Sequence, residues 1–310
     1  MISFEHVSKR FGTLNALTDV SFSVPTGQVL GLLGQNGAGK TTAMNILTGC
    51  LAPSSGKVTI DGEDLLLHPR EAKRKIGYLP EAAPVYDEMT VRGYLQFACE
   101  LKEVQKKAIA DHVETVAEKT GLMDVLDRKI GNLSKGYRQR AGVAQALCGT
   151  PDVIVLDEPT AGLDPRQNIE MRQLIRSLAG EHTILFSSHV LSEVQVTCDR
   201  VMILHHGKII CDSAMQDLRN EEHKLRVVID CGKEKIFTAL QQLQSVRRVE
   251  IEKNTDSAVT QAVLTVENNG LAERELFTLL SALQTPLLRL SPVEDSLEDV
   301  FLRATMDETA

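Results

Sequence analysis

Short apolar runs rich in β-branched residues open the chain, VSFSV at 20–24 and QVLGLLG at 28–34. Such runs, bounded by turn residues, predict strands. The second passes through a glycine-rich loop into KTTAMNILTG, whose pattern predicts a helix. From about 90 to 148 the sequence is charged and helix-favouring with few strand signals, which predicts a helical subdomain inserted into an α/β core. Strand character returns at DVIVLDEP (152–159), followed by a predicted helix at about 166–178, a strand at TILFSSH (183–189) and a further helix. VMILHHGKIICD (201–212) then reads as a hairpin with HHGK as its turn. Apolar runs buried on both faces and alternating with helices predict a mostly parallel core sheet.

Beyond about 220 the texture changes. KLRVVIDC (224–231) predicts a strand, KEKIFTALQQLQ (233–244) a helix, and RRVEIEKN and AVTQAVLTVEN two strands around a polar TDS turn. LAERELFTLLSAL (271–283) predicts a helix and LLRLSPV (287–293) a strand. That order is βαββαβ, the split-βαβ pattern of a ferredoxin-like fold. A last helix, SLEDVFLRAT, is predicted with Ser296 as N-cap and Glu298 and Asp299 in a first turn where the dipole favours acids. The expected organisation is an α/β domain over 1–219 and a small α+β domain over 220–310, with no internal repeat or low-complexity linker.

Composition agrees with that size. The 310 residues are 43% hydrophobic, enough for a sizeable core and about two domains. The net charge of −8 is spread without a basic block, which argues against nucleic acid as a partner. Six cysteines, Cys50, Cys99, Cys148, Cys198, Cys211 and Cys231, form no CxxC pair and no zinc-spaced cluster with histidine. Reduced thiols in a cytosolic protein are the expectation. The N-terminus lacks a secretory profile, and no apolar run approaches the ~20 residues of a membrane helix, so a soluble chain is expected.

GQNGAGKTT at 34–42 fits G-x-x-x-x-G-K-[ST]. In that pattern backbone N–H groups of Gly34, Asn36, Gly37, Ala38 and Gly39 close around phosphate oxygens at a helix N-terminus. Lys40 would reach the β- and γ-phosphates of a nucleoside triphosphate, Thr41 would ligate Mg²⁺, and Thr42 would donate to phosphate. An ordinary glycine turn is the bland alternative, but a chance match in a chain of this length is about one in a hundred, and the strand-loop-helix context lowers it further. VIVLDEP sets Asp157 and Glu158 at the carboxyl edge of a buried strand, where ligands collect in open α/β sheets. Asp157 suits Mg²⁺ through water, and Glu158 suits deprotonation of an attacking water. Paired acids also mark helix starts. An acid pair ending an apolar run is nevertheless costly without a nearby cation, which favours function.

LSKGYRQR at 133–140 places Ser134 as the N-cap of a helix running to about 148, with Gly136 exposing N–H groups. Alone this is a helix start. Together with GQNGAGKT, DVIVLDEP, AGLD (161–164) and SSH (187–189), it makes the chain resemble the ATP-binding subunits of ABC transporters over residues 1 to about 215. The resemblance implies a P-loop ABC ATPase core that binds ATP with Mg²⁺ and closes as a head-to-tail dimer, an identical copy being the expected mate. Two ATP molecules are then sandwiched, with Ser134 and Gly136 acting in trans on the partner's γ-phosphate. His189 matches the switch histidine on the γ-phosphate, and Asp164 the loop crossing between subunits. Phe11 matches the aromatic on adenine, a contact worth about 1–3 kcal/mol by analogy with base stacking, with core packing as its alternative.

Two departures stand out. Lys135 and Tyr137 replace the family's usual glycine and glutamine, while Ser134 and Gly136 are kept. Glu81 replaces a glutamine whose amide touches Mg²⁺ and whose loop touches the membrane partner; a carboxylate can still ligate Mg²⁺ but adds negative charge near the γ-phosphate, so slower or more tightly gated turnover is expected. Glu81, LSKGxxQR, SSHVLSEV and SLEDVFLRAT resemble the ABC-2-type exporter group, including gliding-associated and drug-export-like subunits. That resemblance implies an engine on the inner face of the cell membrane driving a separate transmembrane permease. For the C-terminal domain two roles stay open, sensing a ligand or bracing the dimer, with bracing the expectation. The alternative is a soluble ABC-fold ATPase in DNA repair or translation; its usual coiled-coil insertion, zinc motifs or second ATP-binding domain do not appear. Intact Lys40, Asp157, Glu158 and His189 oppose a non-catalytic sensor.

Overall fold

The computed structural model describes residues 1–220, 223–252, 259–266 and 270–293. They form two compact units, Met1–Met215 and a second beginning at Gln216. The first opens with β1 (Ile2–Phe11), β2 (Leu14–Val24) and β3 (Val29–Leu33), then α1 (Lys40–Leu47), β4 (Ser55–Ile60), β5 (Glu63–Asp64), α2 (Pro69–Arg74) and β6 (Ile76–Leu79). Three helices follow, α3 (Val91–Leu101), α4 (Ile109–Thr120) and α5 (Lys135–Leu147), and then β7 (Val153–Leu156), α6 (Pro165–Leu178), β8 (Thr183–Ser188), α7 (Leu191–Thr197), β9 (Arg200–His205) and β10 (Lys208–Ala214).

Two sheets result. One is antiparallel in the order β2-β1-β4-β5, the other runs β10-β9-β3-β8-β7-β6. The run at 20–24 is the tail of β2, where Val20, Phe22 and Val24 alternate inward as a half-buried strand requires, and Phe22 stacks on Phe4 with centroids 4.5 Å apart. Its partner β1 was not signalled by periodicity, because register shifts between Phe4 and Val7, Val7 and Lys9, and Lys9 and Arg10 break the alternation. In the second sheet β3, β6, β7, β8 and β9 pair in parallel and only β10 is antiparallel. Every residue of β3, β7 and β8 is buried, as strands covered on both faces must be. This order fixes the site, since β8 lies between β3 and β7 and the carboxyl ends of all three open side by side.

The stretch at 90–148 is helical as the composition predicts. Thr90 caps α3 by accepting from Gly93 N–H, Gly121 ends α4 in the left-handed region, and Ser134 caps α5 by accepting from Tyr137 N–H at 3.4 Å.

The second unit holds α8 (Met215–Asn220, which straddles its start), β11 (His223–Ile229), α9 (Lys233–Gln241), β12 (Val246–Ile251), β13 (Thr260–Val266), α10 (Leu271–Ala282) and β14 (Leu287–Val293). Its strands order as β12-β13-β11-β14, all antiparallel, the arrangement of a ferredoxin-like sheet. Ile236 and Leu240 of α9 and Leu276 and Leu280 of α10, each pair four residues apart on one helix face, join Val227, Ile229 and Leu264 of the sheet in one core. The TDS turn and the SLEDVFLRAT helix lie outside the described residues.

Candidate active site

The loop after β3 is shaped by glycines where nothing else fits. A Cβ on Gly34 would stand 2.5 Å from the Leu204 carbonyl oxygen, and Gly39 combines φ +109° with a Cβ position 2.6 Å from the Ala16 oxygen. No side chain caps α1 at Gly39, so its first-turn N–H groups remain available to an anion. Lys40, only 6% exposed, folds back to donate to Gly34 O at 2.7 Å, and its Nζ lies 3.6 Å from Glu158 Oε1. The β9–β10 turn braces the loop from outside: Gly207 N–H donates to Ala38 O at 2.9 Å and Thr18 N–H to Gly207 O at 2.8 Å.

The neighbouring strand ends supply acids and a histidine. Asp157, 2% exposed, accepts from Ser187 Oγ at 2.6 Å, and the same hydroxyl accepts from Glu158 N–H at 2.9 Å. Glu158 sits at φ +48°, a costly conformation for a side-chain-bearing residue and a common one at functional sites. His189 Nδ1 lies 2.8 Å from Glu158 Oε2, so the carboxylate is held between a lysine and an imidazole. Below it Glu193, buried at the start of α7, accepts from Thr160 Oγ1 at 2.7 Å and from Ser188 Oγ at 3.0 Å, tying the turn after β7 to the turn after β8. Beside Asp157 the Tyr78 phenol is pushed up to about 12 by burial and by the Asp157 charge.

Ser187, Thr160 and Glu193 were missed by sequence reasoning. The SSHVLSEV run contains two of them, but nothing in their spacing shows that both serines face inward and that the glutamate turns back to meet a threonine on another segment.

A cleft of ≈ 460 Å³ gathers the predicted nucleotide residues Asn36, Gly37, Gly39, Lys40, Thr41 and Thr42, and with them Glu81, Glu158, His189 and Phe11. Phe11 is 48% exposed, so core packing is not its role, and Lys9 Nζ stands 5.0 Å from its ring centre. Gly34 and Ala38 are not among the residues lining this cleft; their carbonyls accept from Lys40 and Gly207. A second cleft of ≈ 670 Å³ shares Thr41 and Glu81 and adds Asp157, so the three predicted Mg²⁺ ligands border one cleft. Their oxygen donors suit a small hard cation. Among the described residues no group of three or more His, Cys, Asp or Glu could hold a metal ion.

Ser134 and Gly136 open instead into a separate pocket of ≈ 200 Å³ beside Tyr137 and Gln167, with none of the phosphate-loop residues. Asp164 is the N-cap of α6, its Oδ1 accepting from Gln167 N–H at 2.9 Å, and it lines neither cleft.

A parallel sheet whose central strand ends in a glycine loop and helix, flanked by strand ends bearing an aspartate, a glutamate and a histidine, defines a P-loop nucleoside triphosphatase. Comparison with known proteins narrows the class. The ABC transporter family model matches residues 17–161. The ABC transporter ATP-binding protein NatA of Bacillus subtilis (strain 168) is 39% identical over 228 residues, covering 72% of this chain and 93% of that protein. The bacitracin transport ATP-binding protein BcrA of Bacillus licheniformis is 32% identical over 305 residues, covering 98% and 96%. A solved ATP-binding subunit of an ABC transporter superposes with a TM-score of 0.64 at 27% identity, covering 71% of this chain and 92% of that one. The chain belongs to the ABC transporter family as an ATP-binding protein and is an ATPase. These comparisons give no support to the alternative in DNA repair or translation. Among the described residues no helix is long and apolar enough to cross a membrane.

Proposed function

We propose that the protein is the ATP-hydrolysing engine of an exporter, working as a head-to-tail dimer on the inner face of the cell membrane and driving a separate transmembrane permease. Residues 1–219 form the ATP-binding domain, with 90–148 as its helical subdomain, and 220–310 the accessory domain that braces the dimer; a division into compact units near Met215 supports this. In each subunit the loop from Gly34 to Thr42 holds the triphosphate and Phe11 meets the base. Thr41, Asp157 and Glu81 would hold Mg²⁺, which would offset charge on the phosphates.

Glu158 is the base. Lys40 is shared between this carboxylate and the loop carbonyl, so a triphosphate competing for the lysine frees Oε1 to accept a proton from water. His189 fixes the other oxygen, Oε2, and thereby the rotamer. Ser134 and Gly136 act on the partner's nucleotide, and Asp164, at the start of α6, belongs to the surface where the copies meet.

The observation that carries the reading is the separation of two half-sites: a phosphate loop with its base in one cleft, and Ser134 and Gly136 in another pocket that no phosphate-loop residue lines. A second copy joins them. Glu158→Gln should cut turnover by about 10²–10⁴ while ATP is still bound, so ATP should shift this variant to dimer in light scattering. Brisk hydrolysis in the variant removes Glu158 as base, and a turnover-competent protein that stays monomeric at every concentration removes the shared site.

A further inference from the structure

The nucleotide cleft has one wall that the phosphate-loop and strand-end motifs do not supply. His206, at the tip of the β9–β10 hairpin, lines the same cleft as Phe11, Leu14 and Asn15. It is solvent-exposed, and its ring meets His205 edge-on with centroids 4.2 Å apart.

The residue is tolerated by its turn but is not one that the turn selects. His205 pairs with Lys208, leaving His206 and Gly207 as a two-residue loop with φ +43° and +76°. Positive φ at both central positions defines a type I′ turn, which favours Asn-Gly, Asp-Gly or Gly-Gly. Gly207 meets that demand and also needs to be glycine, because a Cβ there would lie 2.6 Å from Ala16 O. The position before it carries an imidazole instead of the residues the turn prefers, and local departures of this kind concentrate at functional sites. The turn is also fixed in place, since Gly207 is hydrogen-bonded both to the phosphate loop at Ala38 and to β2 at Thr18. The backbone that carries the ring is thereby held beside the phosphate loop.

We infer that His206 is a nucleotide-binding residue whose imidazole packs with Phe11 against the base of the bound nucleoside triphosphate. This rests on the nucleotide reading of the cleft given above. The second ring gives the base a contact besides Phe11, whose own ring is half exposed, and it comes from a segment far along the chain from the aromatic.

The test is isothermal titration of the full chain with ATP and, separately, with inorganic tripolyphosphate, in EDTA so that hydrolysis does not intervene. His206→Asn and His206→Gly both remove the ring while satisfying the turn, so both should melt at or above the temperature of the unmodified protein. ATP affinity should fall about tenfold in each, the effect of losing one base-stacking ring, and tripolyphosphate affinity should stay within about twofold; Phe11→Ala should show the same split. Unchanged ATP affinity in both variants overturns the assignment. Equal weakening of ATP and tripolyphosphate also overturns it, because the turn would then act by placing the phosphate loop. Failure of the unmodified protein to bind ATP at all overturns the nucleotide reading itself, and the His206 assignment with it.

Discussion

Ser187→Ala should damage stability and turnover together, because one buried hydroxyl serves two acids. Ser187 is fully buried; its Oγ donates to Asp157 Oδ1 at 2.6 Å and accepts from Glu158 N–H at 2.9 Å. Alanine leaves a buried carboxylate short of a donor, worth about 1.5–3 kcal/mol, and a buried amide without an acceptor, worth about 1–3 kcal/mol. The two losses share one atom, so the expected cost is about 2–5 kcal/mol, a large share of a domain stability of about 5–15 kcal/mol. The chain has no tryptophan, so urea unfolding is best followed by circular dichroism in the far ultraviolet. Two compact units do not guarantee one transition; the step that moves to higher urea on adding nucleotide belongs to the ATP-binding unit. Turnover should drop at least about tenfold, because the main chain at Glu158 loses the bond that holds its φ of +48°. ATP affinity in EDTA should hold. A midpoint change equivalent to less than about 0.5 kcal/mol, with turnover intact, refutes the idea that Ser187 positions either acid.

Three further expectations follow from the same geometry. Ser134→Phe removes the α5 cap, a loss of about 1 kcal/mol, and should spare ATP binding to the isolated subunit while abolishing hydrolysis; loss of binding by the monomer would show the serine acting within its own chain. Glu81→Gln should speed turnover and alter its Mg²⁺ dependence, and no change in ATPase rate, Mg²⁺ dependence or transport would leave the carboxylate without a special role. Tyr78→Phe should soften alkaline unfolding: its folded phenol is raised from 10.0 to about 12, so its contribution is intact below pH 10 and is lost as pH rises through 12. An alkaline midpoint identical in the variant and the unmodified protein would count against burial as the cause.

Local sequence predicted those features that short-range chemistry specifies. The phosphate loop could be recognised because its glycines, lysine and threonines are consecutive and take their conformation from one another and from the helix they open. Ser134 was recognisable as a cap for the same reason, and the βαββαβ order of the second unit followed from periodicity alone. Asp164 as the cap of α6 is equally legible, in Asp followed by Pro165 at the first helical position.

Other features needed the folded chain. β1 escaped notice because its bulges erase the alternation that periodicity detects. His189 and Glu158 are 31 residues apart in sequence and meet only because β7 and β8 pair in parallel with Leu156 opposite Phe186. Lys40 reaches Glu158 across the same sheet, Ser187 turns inward to serve both acids, and the hairpin tip at His206 comes to rest against the phosphate loop. Residue types and their order thus established the chemistry the chain could perform, through interactions spanning a turn of helix or a few strand positions. Which of those groups face one another was decided by strand register and sheet order, which depend on packing between distant segments and leave no periodic trace in either one.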